Sequence, residues 1–167
     1  MTKFDQLFSA LNKEKVRYLV VGGIAVNLYG IERATADIDI VVDLEENNLQ
    51  KFIKVMKEHN YKPKVPVKLD DFTEKNKREN WVKEKGMMVF SLFDPQNPFF
   101  LLDVFVTEPF VFNVVFKARN EMKSGNIKIP VISIGYLVEM KEKAGRPQDI
   151  SDVFYLKKIK GAWENEK

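Results

Sequence analysis

Hydrophobic residues recur along this chain with two periods, and the switches between them outline its elements. Phe4, Leu7, Phe8 and Leu11 are spaced for one face of a helix, and Thr2 with Asp5 three residues later has the form of a capping box at its start. Residues 12–15 form a polar break. Residues 16–21 are β-rich and run into Gly22-Gly23, which predicts a buried strand ending in a glycine turn. Residues 24–29 predict a short helix closed by Gly30. Across residues 36–42 the chain alternates Asp37, Ile38, Asp39, Ile40 and then turns wholly apolar, the pattern of a strand with one solvated and one buried end.

Leu49, Phe52, Ile53 and Met56 make the next helical stripe, closed at Asn60. Residues 61–86 are rich in Lys, Asp, Glu and Asn, with Trp81 the main large apolar side chain, and predict a loop followed by an exposed helix. Residues 87–93 and 100–106 read as an antiparallel strand pair joined by Asp94-Pro95-Gln96-Asn97-Pro98, a run of turn formers. Residues 110–119 suit a strand by their apolar run and a helix by Pro109 at a first-turn position; helix is preferred. Ser124-Gly125-Asn126 is a hairpin-like turn before residues 127–132, and helices are expected over 134–144 and 147–160, divided by Gly145 and Pro147. The whole predicts an α/β (α+β) fold: a mixed β-sheet flanked by helices, with two helices at the C-terminal end.

Composition narrows the chemistry. With 167 residues, 45% hydrophobic, the chain can bury one sizeable core, so a single domain over 1–167 with a helical portion over 133–160 is expected. No stretch approaches the roughly 20 apolar residues of a membrane span, and residues 1–5 lack a basic region followed by an apolar run, so a soluble cytoplasmic protein is expected. Cysteine is absent and His59 is the single histidine, which excludes disulfides, thiolate sites and a multi-histidine zinc site within one chain. Any metal must therefore be held by oxygen. A net charge of +3 does not identify a nucleic-acid binder. Lys75, Lys77, Arg78, Lys83 and Lys85 with Trp81 fit a solvated helix face better than a nucleic-acid patch, and His59, at a helix end, reads as structural.

Asp37 and Asp39 lie at i and i+2 of a strand, so they share a face, roughly 7 Å apart at Cα. Two like charges at that spacing are unfavourable unless a cation or hydrogen bonds offset them, and Mg²⁺ takes hard oxygen ligands of this kind. Asp103 stands inside Phe100-Leu101-Leu102-Asp103-Val104-Phe105-Val106, where an aspartate is costly unless paired, hydrogen-bonded or metal-bound. If its strand neighbours residues 36–42, three carboxylates converge, the ligand set of a two-metal phosphoryl or nucleotidyl transfer site. Gly22-Gly23, between a strand and a helix, suits an anion held on free backbone N–H groups, and equally suits an ordinary turn.

The run Val21-Gly22-Gly23-Ile24-Ala25-Val26, then Gly30, Arg33, Thr35 and Asp37-Ile38-Asp39-Ile40, resembles the signature of the DNA polymerase β-type nucleotidyltransferase superfamily. Small bacterial members are the nearest in look, the minimal nucleotidyltransferases and the AbiEii-like proteins of abortive-infection systems. The segment from Leu137 through Lys141, Arg146 and Asp149 to Asp152 is similar to theirs, so the resemblance spans about residues 16–159. It implies that Asp37 and Asp39 bind two Mg²⁺ ions, that Asp103 completes the ion activating an acceptor hydroxyl, and that Gly22 and Gly23 hold the β and γ phosphates of a nucleoside triphosphate. Arg33 and Thr35 would line the site. Lys141 and Arg146 either reach substrate phosphates, as the resemblance implies, or serve a helix end, for which the helix dipole suffices. Two departures stand out: Gly23 replaces the serine of many active members, and no separate acceptor-binding domain is visible, so the acceptor is open among nucleic acid, protein and small molecule.

Two other functions compete with nucleotidyl transfer. One is a binding module of the toxin–antitoxin type that acts through a protein partner, which exposed apolar surface would favour. The other is a metal-dependent phosphohydrolase using the same carboxylates, which would release phosphate rather than pyrophosphate.

Overall fold

The computed structural model describes residues 2–165. Helix α1 (Lys3–Lys13) opens with the expected capping box, Thr2 accepting from the Asp5 backbone and Asp5 from that of Thr2, and it buries Leu7, Phe8 and Leu11. Strand β1 (Tyr18–Val21) is buried throughout. Helix α2 (Gly22–Leu28) follows with no intervening turn, so Gly22 and Gly23 form its first turn rather than a loop ahead of it. Strand β2 (Asp37–Val42) carries the aspartates, and α3 (Glu46–Glu58) is capped by the Glu45 carboxylate.

The polar stretch after α3 is better buried than its composition suggests. It holds a two-residue strand, β3 (Lys62–Pro63), a 3-10 turn over Leu69–Thr73, and helix α4 (Lys75–Lys85). Tyr61, Phe72 and Trp81 are buried, Phe72 and Trp81 both against Phe90. Arg78 is buried too, donating to the Phe72 carbonyl at 2.7 Å, so it cannot belong to a surface patch. Lys77 pairs with Asp71 and Glu74, and Lys75 with Glu79, as on a solvated helix face.

Strands β4 (Val89–Asp94) and β5 (Asn97–Phe105) form the expected hairpin, turning through Pro95 and Gln96. Helix α5 (Phe112–Lys117) forms in the ambiguous run, but with Val111 as its cap, so Pro109 lies ahead of the first turn rather than in it. Strands β6 (Asn120–Ser124) and β7 (Ile127–Val131) make the second hairpin; β6, alternating only half-buried and exposed residues, has no apolar signature to read in the sequence. Helix α6 (Ile134–Ala144) ends at Gly145, whose φ of 64° is the left-handed stop, and α7 (Pro147–Asn165) runs past the expected end.

These strands form one seven-stranded mixed sheet in the order β3-β4-β5-β2-β1-β7-β6. Its β1–β7 and β2–β5 pairs are parallel and the other pairs antiparallel. One face carries Tyr18, Ile38, Ile40, Phe90 and Leu102 and is covered by α1, the 3-10 turn and α4, where Phe8 stacks on Tyr18 and Phe72 on Phe90. Alternation along the strands sends Asp37, Asp39, Ser91, Asp103 and Phe105 to the other face. No described helix is long and apolar enough to cross a membrane.

Candidate active site

Strand register decides what meets at the aspartates. The antiparallel β1–β2 pair sets Val21 opposite Asp39, the parallel β2–β5 pair sets Asp39 beside Asp103, and the antiparallel β4–β5 pair sets Asp103 opposite Ser91. One row of side chains thus runs Val21, Asp39, Asp103, Ser91 across four strands, with Asp37 a pleat away on the same face. The adjacency of residues 36–42 to Asp103, conditional in the sequence, holds in the fold.

The electrostatics follow from that crowding. Burial, then the charges of Asp103 and Asp37, push the Asp39 carboxyl up to about 7, against the pull of Lys141 and Arg146. Burial also raises Asp103, opposed by the hydroxyl of Ser91, which donates to Asp103 Oδ1 at 2.6 Å. Among the described residues no three acidic or imidazole side chains are already gathered into a metal cage. An all-oxygen donor set that holds its charge at a cost until a cation arrives fits a hard ion such as Mg²⁺.

Because β1 ends beside Asp39, α2 begins there. Gly22 takes φ +67°, and a Cβ on it would overlap the Asp39 carboxylate. A Cβ on Gly23 would come within 2.7 Å of Thr35 Oγ1 and 3.1 Å of Arg33 Nη1. Space that a serine would need at residue 23 is therefore held by the Thr35 hydroxyl and the Arg33 guanidinium. Among the described residues the Thr35 hydroxyl makes only a long 3.4 Å contact, with the Asp37 carbonyl.

Opposite the sheet, α6 and α7 bring a buried charge cluster. Lys141 Nζ lies 2.9 Å from Asp152 and 3.3 Å from Asp149, and all three side chains are at most 5% exposed. Asp152 also holds Arg33 Nη1 at 2.8 Å. Arg146 bonds to Asp149 at 2.7 Å but keeps 74% of its side chain exposed. Burial raises Asp149 less than its bonds from Arg146 and the charge of Lys141 lower it. At the start of α7, Asp149 accepts from the Arg146 backbone and caps the helix. Lys141 and Arg146 also remain in the cleft.

Asp37, Asp39, Asp103, Gly22, Gly23, Arg33, Thr35, Lys141 and Arg146 all line one cleft of about 780 Å³. Its apolar lining, Met88, Val89, Phe105, Pro109 and Met140, carries no sequence signal, since partly exposed apolar residues are common on any surface. Ser91 is equally silent: between buried Phe90 and Leu92 it reads as an ordinary outward strand position. Asp149 and Asp152, three apart at a helix start, are legible as one helix face but not as partners of Arg33 and Lys141. His59 caps the end of α3.

No protein-family model matches the chain, and no curated protein matches its sequence. Solved structures do match. The lincosamide antibiotic adenylyltransferase LnuA, with lincomycin bound, superposes with a TM-score of 0.62 and 21% identity over 95% of this chain and 98% of that one. A Thermotoga maritima protein provisionally assigned as a nucleotidyltransferase gives 0.57 and 20% over 98% and 91%. ANT(2″)-Ia, in complex with adenylyl-2″-tobramycin, gives 0.57 and 10% over 98% and 95%. At these identities the likeness is one of architecture: the chain has the nucleotidyltransferase fold.

Proposed function

We propose that this cleft transfers a nucleoside monophosphate from a nucleoside triphosphate to an acceptor hydroxyl, releasing pyrophosphate. The observation that carries the reading is the register that sets Asp39 beside Asp103, with Asp37 on the same face and Arg33, Lys141 and Arg146 in the same cleft. Asp37, Asp39 and Asp103 would hold Mg²⁺, with room in the ligand set for two ions, and the metal supplies the charge that neutralises attacking and leaving oxygens. The backbone N–H groups of Gly22 and Gly23 receive the β and γ phosphates, and the bare glycines let them approach. Arg33 and Thr35, packed over Gly23, and Lys141 and Arg146 hold the remaining phosphate oxygens. Asp152 and Asp149 keep those cations in place, and Ser91 orients Asp103 toward the acceptor. Two structural neighbours, LnuA and ANT(2″)-Ia, support the reading, one described as an adenylyltransferase and the other bound to an adenylylated compound.

The test is a calorimetric titration with ATP and the other nucleoside triphosphates, with and without Mg²⁺. Saturable binding that needs Mg²⁺ is expected, followed by pyrophosphate release when an acceptor is present. Phosphate release without an acceptor would indicate a phosphohydrolase instead.

One observation favours a second reading. Ile150 and Phe154 lie one turn apart on α7 and are 66% and 55% exposed, with Tyr155 in edge contact with Phe154. Such a patch suits a protein partner, as in a toxin–antitoxin pair. Failure of every triphosphate to bind would move the function to that surface.

A further inference from the structure

The cleft is divided by charge. The cations that line it are Arg33, Lys141, Lys143 and Arg146, from the segment before β2 and from the α6–α7 corner. Strands β4 and β5 and the residues that flank them supply Met88, Val89, Phe105 and Pro109, with Leu137 and Met140 facing them from α6. Register puts Val89 directly opposite Phe105, on the same face as Ser91 and Asp103 and one pleat beyond them. The charges of Lys141 and Arg146 thus fall on Asp39, while the lining one pleat beyond Asp103 along β4 and β5 is apolar. Met88 is 57% exposed at the mouth of that lining. The cation whose charge reaches Asp103 from this side is Lys64, an exposed residue at the sheet edge that does not line the cleft.

A polynucleotide acceptor needs cations that track its phosphates, since charge neutralisation supplies most of its binding. On the acceptor side the cleft offers the opposite, carboxylates and hydrocarbon. Its whole volume, about 780 Å³, falls in the range of small-molecule sites and must also take the triphosphate.

From this partition we infer that the acceptor is a small, non-anionic hydroxyl compound with an apolar face, which lies on Met88, Val89, Phe105 and Pro109 while its hydroxyl meets Asp103. This rests on the nucleotidyl transfer reading. In the step, the hydroxyl oxygen bonds to the α-phosphorus, the bond from that phosphorus to the β-phosphate oxygen breaks, pyrophosphate leaves, and the hydroxyl proton passes to Asp103 and then to water.

The probes are a series of alkyl glucosides, methyl to hexyl, and a ten-nucleotide oligoribonucleotide with a free 3′-hydroxyl. Each is titrated calorimetrically into the full chain saturated with Mg²⁺ and an α,β-methylene ATP analogue, which cannot react. Affinity should rise about twofold or more per added methylene, as expected for partial burial of each group. Met88→Asp should cost the hexyl glucoside about tenfold while leaving the affinity for the ATP analogue unchanged. A flat alkyl series, or an oligonucleotide bound more tightly and with strong salt dependence, overturns the acceptor class while nucleotidyl transfer stands. Absence of Mg²⁺-dependent binding of the ATP analogue removes the reading on which the inference rests, and the inference with it.

Discussion

Gly22 has two reasons to be glycine, its φ of +67° and the Asp39 carboxylate lying where a Cβ would be. Gly22→Ala should therefore cost roughly 2 kcal/mol or more in a urea unfolding experiment, since the positive φ alone costs about 1–2 kcal/mol. At Gly23 the neighbours are the ends of Thr35 and Arg33, which can give way, so Gly23→Ala should lower stability less than ATP affinity; the reverse order would remove these side chains from the phosphate site. Asp39 ties the site to pH. Its folded carboxyl is raised to about 7, well above the ordinary aspartate range. The folded state therefore holds this proton more tightly than the unfolded state does, so its contribution falls as pH rises from about 4 to about 7. Asp39→Asn removes that cost. In EDTA it should stabilise the protein by roughly 2–4 kcal/mol at pH 8 and by much less at pH 4.5, and an equal gain at both would show that burial and charge do not act on Asp39. All three residues were legible in the sequence, the aspartate by its alternation with isoleucines and the glycines by their place after a strand. The overlap between Gly22 and Asp39 was not, because it joins the first residue of α2 to a residue of β2.

Helices α6 and α7 act as a unit through charges that neither shows alone. Lys141, Asp149 and Asp152 are buried and satisfy one another, and Asp152 reaches across to Arg33. Asp152→Ala leaves Arg33 without its carboxylate and Lys141 with Asp149 alone, and should cost about 3 kcal/mol or more, read as a fall in the urea midpoint. Arg146→Ala, at an exposed side chain, should change stability by less than about 1 kcal/mol yet weaken binding of Mg²⁺–ATP. Equal losses of stability in the two variants would make Arg146 a purely structural residue. Sequence spacing placed these residues at a helix end correctly. The second partner of Asp152, Arg33, lies in the segment before β2, 119 positions away, and no local pattern could announce that pairing.

The whole molecule gathers its ligands only by closing the sheet, so binding and folding should be linked. A triphosphate with Mg²⁺ at a hundred times its dissociation constant should stabilise the chain by about 2.7 kcal/mol. An Asp103→Asn variant, which removes a costly partly buried charge, should fold as well as the parent or slightly better and show no such gain in differential scanning calorimetry. Severe misfolding with unchanged nucleotide affinity would place the site elsewhere. The sequence by itself determined the helices and most strands, through apolar period and capping. It also marked the three aspartates, Asp37 and Asp39 through their alternation on one strand face and Asp103 through its cost in apolar surroundings, and the oxygen-only character of any metal site, through the lack of cysteine and the lone histidine. Tertiary structure alone decided strand order and register. Those put Asp39 beside Asp103, turned Ser91 onto Asp103, buried Phe72 and Arg78 in a segment that reads as polar, and set an apolar lining one pleat beyond Asp103. The reason is physical: local periodicity depends on neighbours within a few residues, whereas register depends on which distant strands bury most surface together, and a side chain's chemistry is set by what that register brings against it.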